Sequence, residues 1–299
     1  MERPLVIYHA NCPDGFGAAV AAYCHFRRGD DCPCDFVAAS FGQPPPEVTK
    51  RQVYLVDFSY PRQVLKTMCR TAQAVTIIDH HLTAEEDLAG LEREHANLRV
   101  VFDMDKSGAV LAWEFFHSTP PPRLLLHIQD RDLWQFALEG TNDIYAALLA
   151  RPFDFRDWAK LIDGGDLPAS LRAEGEAINH YRREMIAIHR KMAVIGTIDG
   201  CQVPIVNCYN EIASDLLGEL ALDHPFAAGY QDQGTLRKWS LRSSTIGADV
   251  AEIAKRFGGG GHRHAAGFIT RLPEGLLHVC SQEPGKTQHG FHSGTGCMP

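Results

Sequence analysis

Short apolar runs that end on histidine or aspartate, each followed by a helical stretch, set the terms for how this chain can fold. Leu5-Val6-Ile7-Tyr8 runs into His9, and Val53-Tyr54-Leu55-Val56 into Asp57. Ala74-Val75-Thr76-Ile77-Ile78 runs into Asp79-His80-His81. Their length and β-branched content predict buried strands. Phe36 to Ala39 is a weaker strand and Leu98 to Phe102 another. Helices are expected between them: an Ala-rich one opened by Asp14, Arg62 to Arg70 behind Pro61, and Ala109 to Phe116 capped by Ser107. This alternation predicts an α/β fold built on a doubly wound parallel sheet. Parallel strands present their carboxyl ends on one edge, where ligands gather. His9, Asp57, Asp79 and His80 should therefore converge, with Asp14 from the first loop. One polar residue after a strand usually begins a turn; three strands ending on ligand-type residues seldom arise by chance.

The pattern changes along the 299 residues in a way that suggests two domains. Residues 1–150 are expected to form the catalytic, metal-binding domain. Residues 151–194 read as a helical linker, with sparse apolar positions at Leu171, Ile178, Met185, Ile188 and Met192. Residues 195–271 read as a smaller α/β substrate-binding domain. Its strands are Val203 to Val206, Phe226 to Tyr230 and Trp239 to Leu241, and its helix is Asp249 to Phe257. From 272 to 299 Gly, His, Pro and Ser dominate, and a disordered tail is expected.

No apolar run approaches a membrane span. Met1 to Pro4 lead into the first strand without a leader pattern. The nine cysteines are odd in number and irregularly spaced, which suits reduced thiols and a cytoplasmic location. A formal charge of −8 lacks the basic stripe of proteins that grip long nucleic acid, so short or small anionic substrates are expected.

Hard carboxylate oxygens with one or two imidazoles suit Mn²⁺, or Mg²⁺, better than soft metals. The candidate ligands are His9, Asp14, Asp57, His80 and Asp130, with Asp57 best placed to bridge two ions. Such a pair activates a water and holds phosphate oxygens for in-line attack. His81 would point at the phosphate or protonate the leaving oxygen. Asp79 would orient an imidazole from behind. The plainer reading of Asp79-His80-His81 is an N-cap with two surface histidines, and that of Gln129-Asp130-Arg131-Asp132 a helix end with a surface ion pair.

The run Gly258-Gly259-Gly260-Gly261 lets backbone amides approach an anion closely, and His262, Arg263 and His264 add donors. Gly259, Gly260, Gly261 and His262 are therefore phosphate-binding candidates. Arg242 and Ser243, at a strand end upstream, could fork onto the same phosphate. The plainer reading is a helix C-cap. No Gly-Lys-Ser/Thr closes the run, so it is not a Walker loop.

These motifs resemble those of the DHH phosphoesterase superfamily, named for the tripeptide present here as Asp79-His80-His81. The first motif stands as His9-Ala10-Asn11-Cys12-Pro13-Asp14-Gly15-Phe16, the second as Val56-Asp57, and the fourth as Asp130 within Gln129-Asp130-Arg131-Asp132. The glycine run with His262 and Ala265-Ala266-Gly267 looks like the signature of the DHH-associated C-terminal domain. The motifs keep the family's order and cover most of the chain.

The resemblance implies two domains flanking a cleft, two manganese ions in the first, and hydrolysis of phosphoester or phosphoanhydride bonds. It implies that His80 ligates metal, that His81 contacts phosphate, and that Arg242, Ser243 and His262 read the substrate. Members include RecJ-type exonucleases, nano-RNases, cyclic dinucleotide phosphodiesterases and exopolyphosphatases.

The expected substrate is a short RNA or DNA oligonucleotide or a small phosphorylated nucleotide, with no membrane partner and with a homodimer permitted. The alternatives are an exopolyphosphatase, a cyclic dinucleotide phosphodiesterase, or a nucleotide-binding protein with an impaired metal site. One departure stands out. The family's second aspartate, two positions after the first, falls here on Phe16, which cannot ligate, and an extra residue separates His9 from Asp14. Either one metal binds weakly there, or Asp132 or water fills the gap.

Overall fold

The computed structural model describes residues 2–29, 31–167 and 169–272, so the expected tail, apart from Leu272, lies outside the described residues. The chain divides into two compact units, Met1–Arg182 and Arg183–Pro299.

In the first unit β1 (Leu5–His9), β2 (Asp35–Ala39), β3 (Gln52–Val56), β4 (Ala74–Asp79) and β5 (Leu98–Phe102) form one sheet. Its order is β2-β1-β3-β4-β5 and every pair is parallel. The helices are α1 (Pro13–Phe26), α2 (Arg62–Thr71), α3 (Leu82–Leu88), α4 (Leu91–Glu94), α5 (Gly108–Phe116), α6 (Arg123–Asp132), α7 (Thr141–Ala150) and α8 (Phe155–Asp163). The long α9 (Ala169–Arg190) contains the division between the units.

Both faces of this sheet are covered, because the strand period of two sends alternate side chains to opposite sides. Leu5, Ile7, Leu55 and Ile77 pack with Leu65 and Met68 of α2. Val6, Val56 and Ile78 pack on the other side with residues of α1 and α5, including Phe16 and Trp113. Strands buried on both faces read as continuous apolar runs, which is why they are visible in the sequence. Each fully buried Leu or Ile contributes about 1.5–3 kcal/mol. The α/β class and the doubly wound parallel sheet are thus what the chain adopts. β1 has β2 on one side and β3 on the other, so the chain reverses its direction of travel there. That reversal is the switch point where sheets of this kind open a crevice. Ser107 caps α5 as expected, accepting from Val110 N–H.

The second unit carries β6 (Val194–Ile198), β7 (Cys201–Asn207), β8 (Ala227–Gln233), β9 (Leu236–Arg242), β10 (Gly260–His262) and β11 (Ala265–Arg271), with α10 (Asn210–Leu220) and α11 (Val250–Arg256). The sheet order is β10-β11-β9-β8-β7-β6, antiparallel except for β7 with β8. Val203, Ala228, Leu241 and Phe268 pack with Val250, Ile253 and Ala254 of α11. Val206 and Ala227 pack with Ile212, Leu216 and Leu217 of α10. Asp249 caps α11 through Ala251 and Glu252 N–H.

The glycine run departs from its expected form. Gly258 and Gly259 follow α11, but Gly260, Gly261 and His262 form the edge strand β10 instead of a free loop. Close approach accounts for part of the run: a Cβ on Gly259 would sit 2.1 Å from the Gly267 carbonyl oxygen. Gly261 has φ +142, which glycine alone adopts readily. Gly260 has open space around it, so packing leaves it unexplained. Among the described residues no helix is long and apolar enough to cross a membrane.

Candidate metal centre

The carboxyl edge of the parallel sheet gathers donors from five segments. His9 closes β1, Asp57 follows β3, and Asp79 closes β4 with His80 and His81 behind it. Asp14 comes from the first turn of α1 and Asp132 from the last residue of α6. His80 Nε2 lies 3.1 Å from Asp57 Oδ1, 3.6 Å from Asp14 Oδ2 and 3.6 Å from Asp132 Oδ2. His9 Nδ1 lies 3.5 Å from Asp57 Oδ2. Candidate ligand atoms lie within 4.8 Å of one another in three groups: Asp57, Asp79, His80 and His81; His9, Cys12 and Asp57; and Asp14, His80 and Asp132.

Local structure fixes each of these side chains. Asp57 holds φ at +52, a left-handed value that costs a non-glycine residue about 1 kcal/mol or more. Its N–H donates to the Ile78 carbonyl at 2.9 Å, so β4 helps to keep the turn. Gly108 abuts it: a Cβ there would stand 2.4 Å from Asp57 Cβ. Gly15 similarly abuts His9, with 2.4 Å to its carbonyl oxygen. Asp14 accepts from the amides of Gly108 at 2.7 Å and Ala109 at 3.0 Å, which ties the start of α1 to the start of α5. Asp79 Oδ1 accepts from His80 N–H at 2.8 Å and lies 2.6 Å from His81 Nδ1. That contact ties the His81 ring to the Asp79 carboxylate.

The electrostatics suit a cation. Burial and the charges of neighbouring Asp57 and Asp132 push Asp14 well above the usual carboxylate range. Burial and Asp57 push Asp132 up as well. Burial also works against an ionised Asp57, but the imidazoles of His80 and His9 outweigh it and hold the group well below its ordinary value. His80 is pushed up to about 9: burial opposes its charge, and Asp57, Asp14 and Asp132 override that. Asp57 Oδ1 is sealed from water and makes no hydrogen bond, although His80 Nε2 stands 3.1 Å from it. An enclosed oxygen so placed, among carboxylates and imidazoles, fits a hard divalent ion.

One expected ligand lies elsewhere. Asp130 does not join the donors. Its carboxylate accepts from Ala137 N–H at 2.7 Å, Leu138 N–H at 3.0 Å and the Thr141 hydroxyl at 2.5 Å, closing the connection between α6 and α7. Burial opposes its charge, but those hydrogen bonds outweigh burial and hold Asp130 low. Asp132 is the α6 carboxylate that reaches the centre. Phe16, taken as the position of a missing ligand, is 1% exposed and packs on Phe153, Phe155 and Trp158 with ring centroids 4.8–5.0 Å apart. The residues two apart that do reach the centre are Cys12 and Asp14. Cys12 carries no signal in the sequence beyond its place in the motif, and Gly108 none beyond its place behind a capping serine.

The Asp130 and Asp132 roles separate experimentally. Asp130→Ala should lower stability by about 2–4 kcal/mol, since three donors lose their acceptor, and should retain bound ions. Asp132→Ala should lose ions from one half of the centre with little loss of stability. Denaturant titration and metal analysis check both. Equal ion loss in the two variants would contradict the assignment.

In the second unit the sequence-predicted residues lie close together. Ala265 pairs with both His262 and Arg242, which places β10 and the end of β9 on either side of it. Arg242 is half-buried, with Nη1 donating to the Leu241 carbonyl and Nε 3.4 Å from Ser214 Oγ. Ser243 N–H donates to the His264 carbonyl at 3.1 Å, and its hydroxyl lies 3.1 Å from His264 Nδ1. Gly259, Gly260 and Gly261 run alongside in β10 and the residue before it.

No protein-family model matches the chain. Uncharacterized protein R106 of Acanthamoeba polyphaga mimivirus is 29% identical over 297 residues, which is 91% of this chain and 69% of that protein. Among solved structures, RecJ of Thermus thermophilus in complex with Mn²⁺ aligns over 92% of this chain with a TM-score of 0.56 at 14% identity. This chain spans 50% of that RecJ. A second RecJ exonuclease, bound to manganese, aligns over 92% of this chain and 87% of its own, with a TM-score of 0.52 at 14% identity. The resemblance read from the motifs holds at the level of the fold: the chain has the fold of these RecJ exonucleases.

Proposed function

We propose that a chain with this fold and this donor set is a metal-dependent phosphohydrolase, using manganese, or magnesium, to cleave phosphoester bonds of short oligonucleotides or small nucleotides. The observation that carries the reading is His80 Nε2 within 3.6 Å of carboxylates from three separate segments. His9, Asp14, Asp57, His80 and Asp132 would hold the ions, with Asp57 shared between the two halves. Divalent ions held there would neutralise phosphate oxygens and acidify an attacking water.

The protein's own groups then complete the chemistry. Burial lowers the affinity of His81 for a proton, but Asp79 beside it outweighs that and keeps the ring protonated further toward neutral pH. A protonated imidazole so oriented can give its proton to the leaving oxygen. In the second unit, Arg242, Ser243, His262 and the amides of Gly259, Gly260 and Gly261 would bind the anionic groups of the substrate.

A nucleotide is favoured over polyphosphate by a flat ring just past Asp132. Trp134 is 56% exposed, with the Arg131 guanidinium 4.5 Å from its ring centre and Phe136 edge-on to it. Such a ring stacks on a nucleobase, worth about 1–3 kcal/mol per base. Trp134→Ala should raise KM for a dinucleotide about tenfold and leave tripolyphosphate turnover unchanged; equal effects on both would remove the basis for preferring a nucleotide.

The function itself is tested with a panel of short RNA, short DNA, phosphoadenosines, a cyclic dinucleotide and tripolyphosphate, with manganese and after chelation. Turnover of nucleotide substrates that disappears on chelation and returns with manganese is the expected result. Failure to turn over any of the panel, with nucleotide still bound, would replace this reading with that of a nucleotide-binding protein.

A further inference from the structure

The two halves of the centre differ in donor chemistry. Asp14, His80 and Asp132 offer two carboxylates and an imidazole. His9, Cys12 and Asp57 offer an imidazole, a sulfur and a carboxylate within the same 4.8 Å. Cys12 is firmly placed. It is the residue before α1, its carbonyl accepts from Phe16 N–H at 2.9 Å, and Pro13 restricts the chain after it. A second observation points to a ligand: Asp57 is 1% exposed, its Oδ1 makes no hydrogen bond although His80 stands 3.1 Å from it, and its Oδ2 lies 3.5 Å from His9. Cys34 shows the contrast of a core thiol, since its sulfur donates to the Pro4 carbonyl at 3.4 Å.

We propose that Cys12 is a thiolate ligand beside His9 and Asp57, so that this half takes an ion of intermediate softness, of the zinc, cobalt or ferrous class, while the Asp14 half takes manganese or magnesium. The proposal rests on the metal-dependent reading above. Sulfur raises affinity for such ions over hard ones. On binding, the S–H bond breaks, the metal–sulfur bond forms, and the proton passes to solvent. A thiolate brings one negative charge, as a carboxylate would, so the total charge of the centre is kept while its selectivity changes.

The test uses the full chain, stripped with a chelator and titrated with Co²⁺. A near-ultraviolet sulfur-to-cobalt absorption should grow in and saturate at one equivalent. It should be absent from Cys12→Ser and Cys12→Asp. Cys12→Asp should still take two cobalt ions, and its preference for zinc over manganese should fall by about tenfold or more. Iodoacetamide with peptide mass spectrometry should label Cys12 in the stripped protein and spare it in the cobalt form. Two ions bound without the absorption, or an absorption that persists in Cys12→Ser, overturns the proposal and leaves the metal centre standing. Failure of the wild-type chain to bind cobalt overturns both.

Discussion

Replacing Asp57 with alanine should empty both halves of the metal centre and reduce turnover by about a thousandfold. Asp57 is the one residue whose oxygens approach His9 on one side and His80 on the other, and it belongs to both the histidine–cysteine group and the Asp79-His80-His81 group. The other ligands each serve one half. The fold should survive the change. Alanine at φ +52 carries its own cost of about 1 kcal/mol, but aspartate already bears that strain. Removing a buried carboxylate also relieves the repulsion that pushes Asp14 and Asp132 up. Circular dichroism should therefore be unchanged while metal analysis finds the centre empty. Retention of two ions at wild-type affinity would show that Asp57 does not bridge. His80→Ala is the milder companion, expected to lose ions mainly from the Asp14 and Asp132 half.

Phe16→Asp should be the most destabilising single change in the first motif, by about 4 kcal/mol or more. On a purely sequence-based alignment the substitution restores an aspartate where the family pattern has one. In the structure it removes a ring that touches Phe153, Phe155, Trp158 and Tyr8 and puts a charge in their midst. Phe16→Leu should cost less, and its metal content should match the wild type. Thermal unfolding and metal analysis of the two variants decide the matter. A stable Phe16→Asp protein that binds an additional ion would mean that Phe16, and not Cys12, occupies the ligand position.

The strands are legible because each is buried on both faces and ends on a residue that packing does not require. β1, β3 and β4 follow the sequence expectation to within a residue, and with them the convergence of His9, Asp57 and His80. The last turn of α6 is not legible. Residues two apart on a helix point about 200° from each other, so Asp130 and Asp132 serve opposite sides. Choosing between them requires the phase of the helix end, which depends on how Thr141 and the amides of Ala137 and Leu138 meet it. The glycine run is ambiguous for a related reason. Glycines suit both an anion cradle and an edge strand pressed against its neighbour, and only the neighbouring strand, which pairs Gly267 with Gly260 and presses its carbonyl on Gly259, shows the second. Cys12 escapes notice because a cysteine in a carboxylate-rich motif reads as filler until its sulfur is found among the donors.

The hydrogen bonds from Gly108 and Ala109 to Asp14 carry a wider implication. They join two helices of the interior through a side chain that also stands among the candidate ligands, so that carboxylate is anchored by the helix starts themselves. A divalent ion held there would meet a donor already fixed in place, unlike the ligands of small zinc modules that collapse only around their metal.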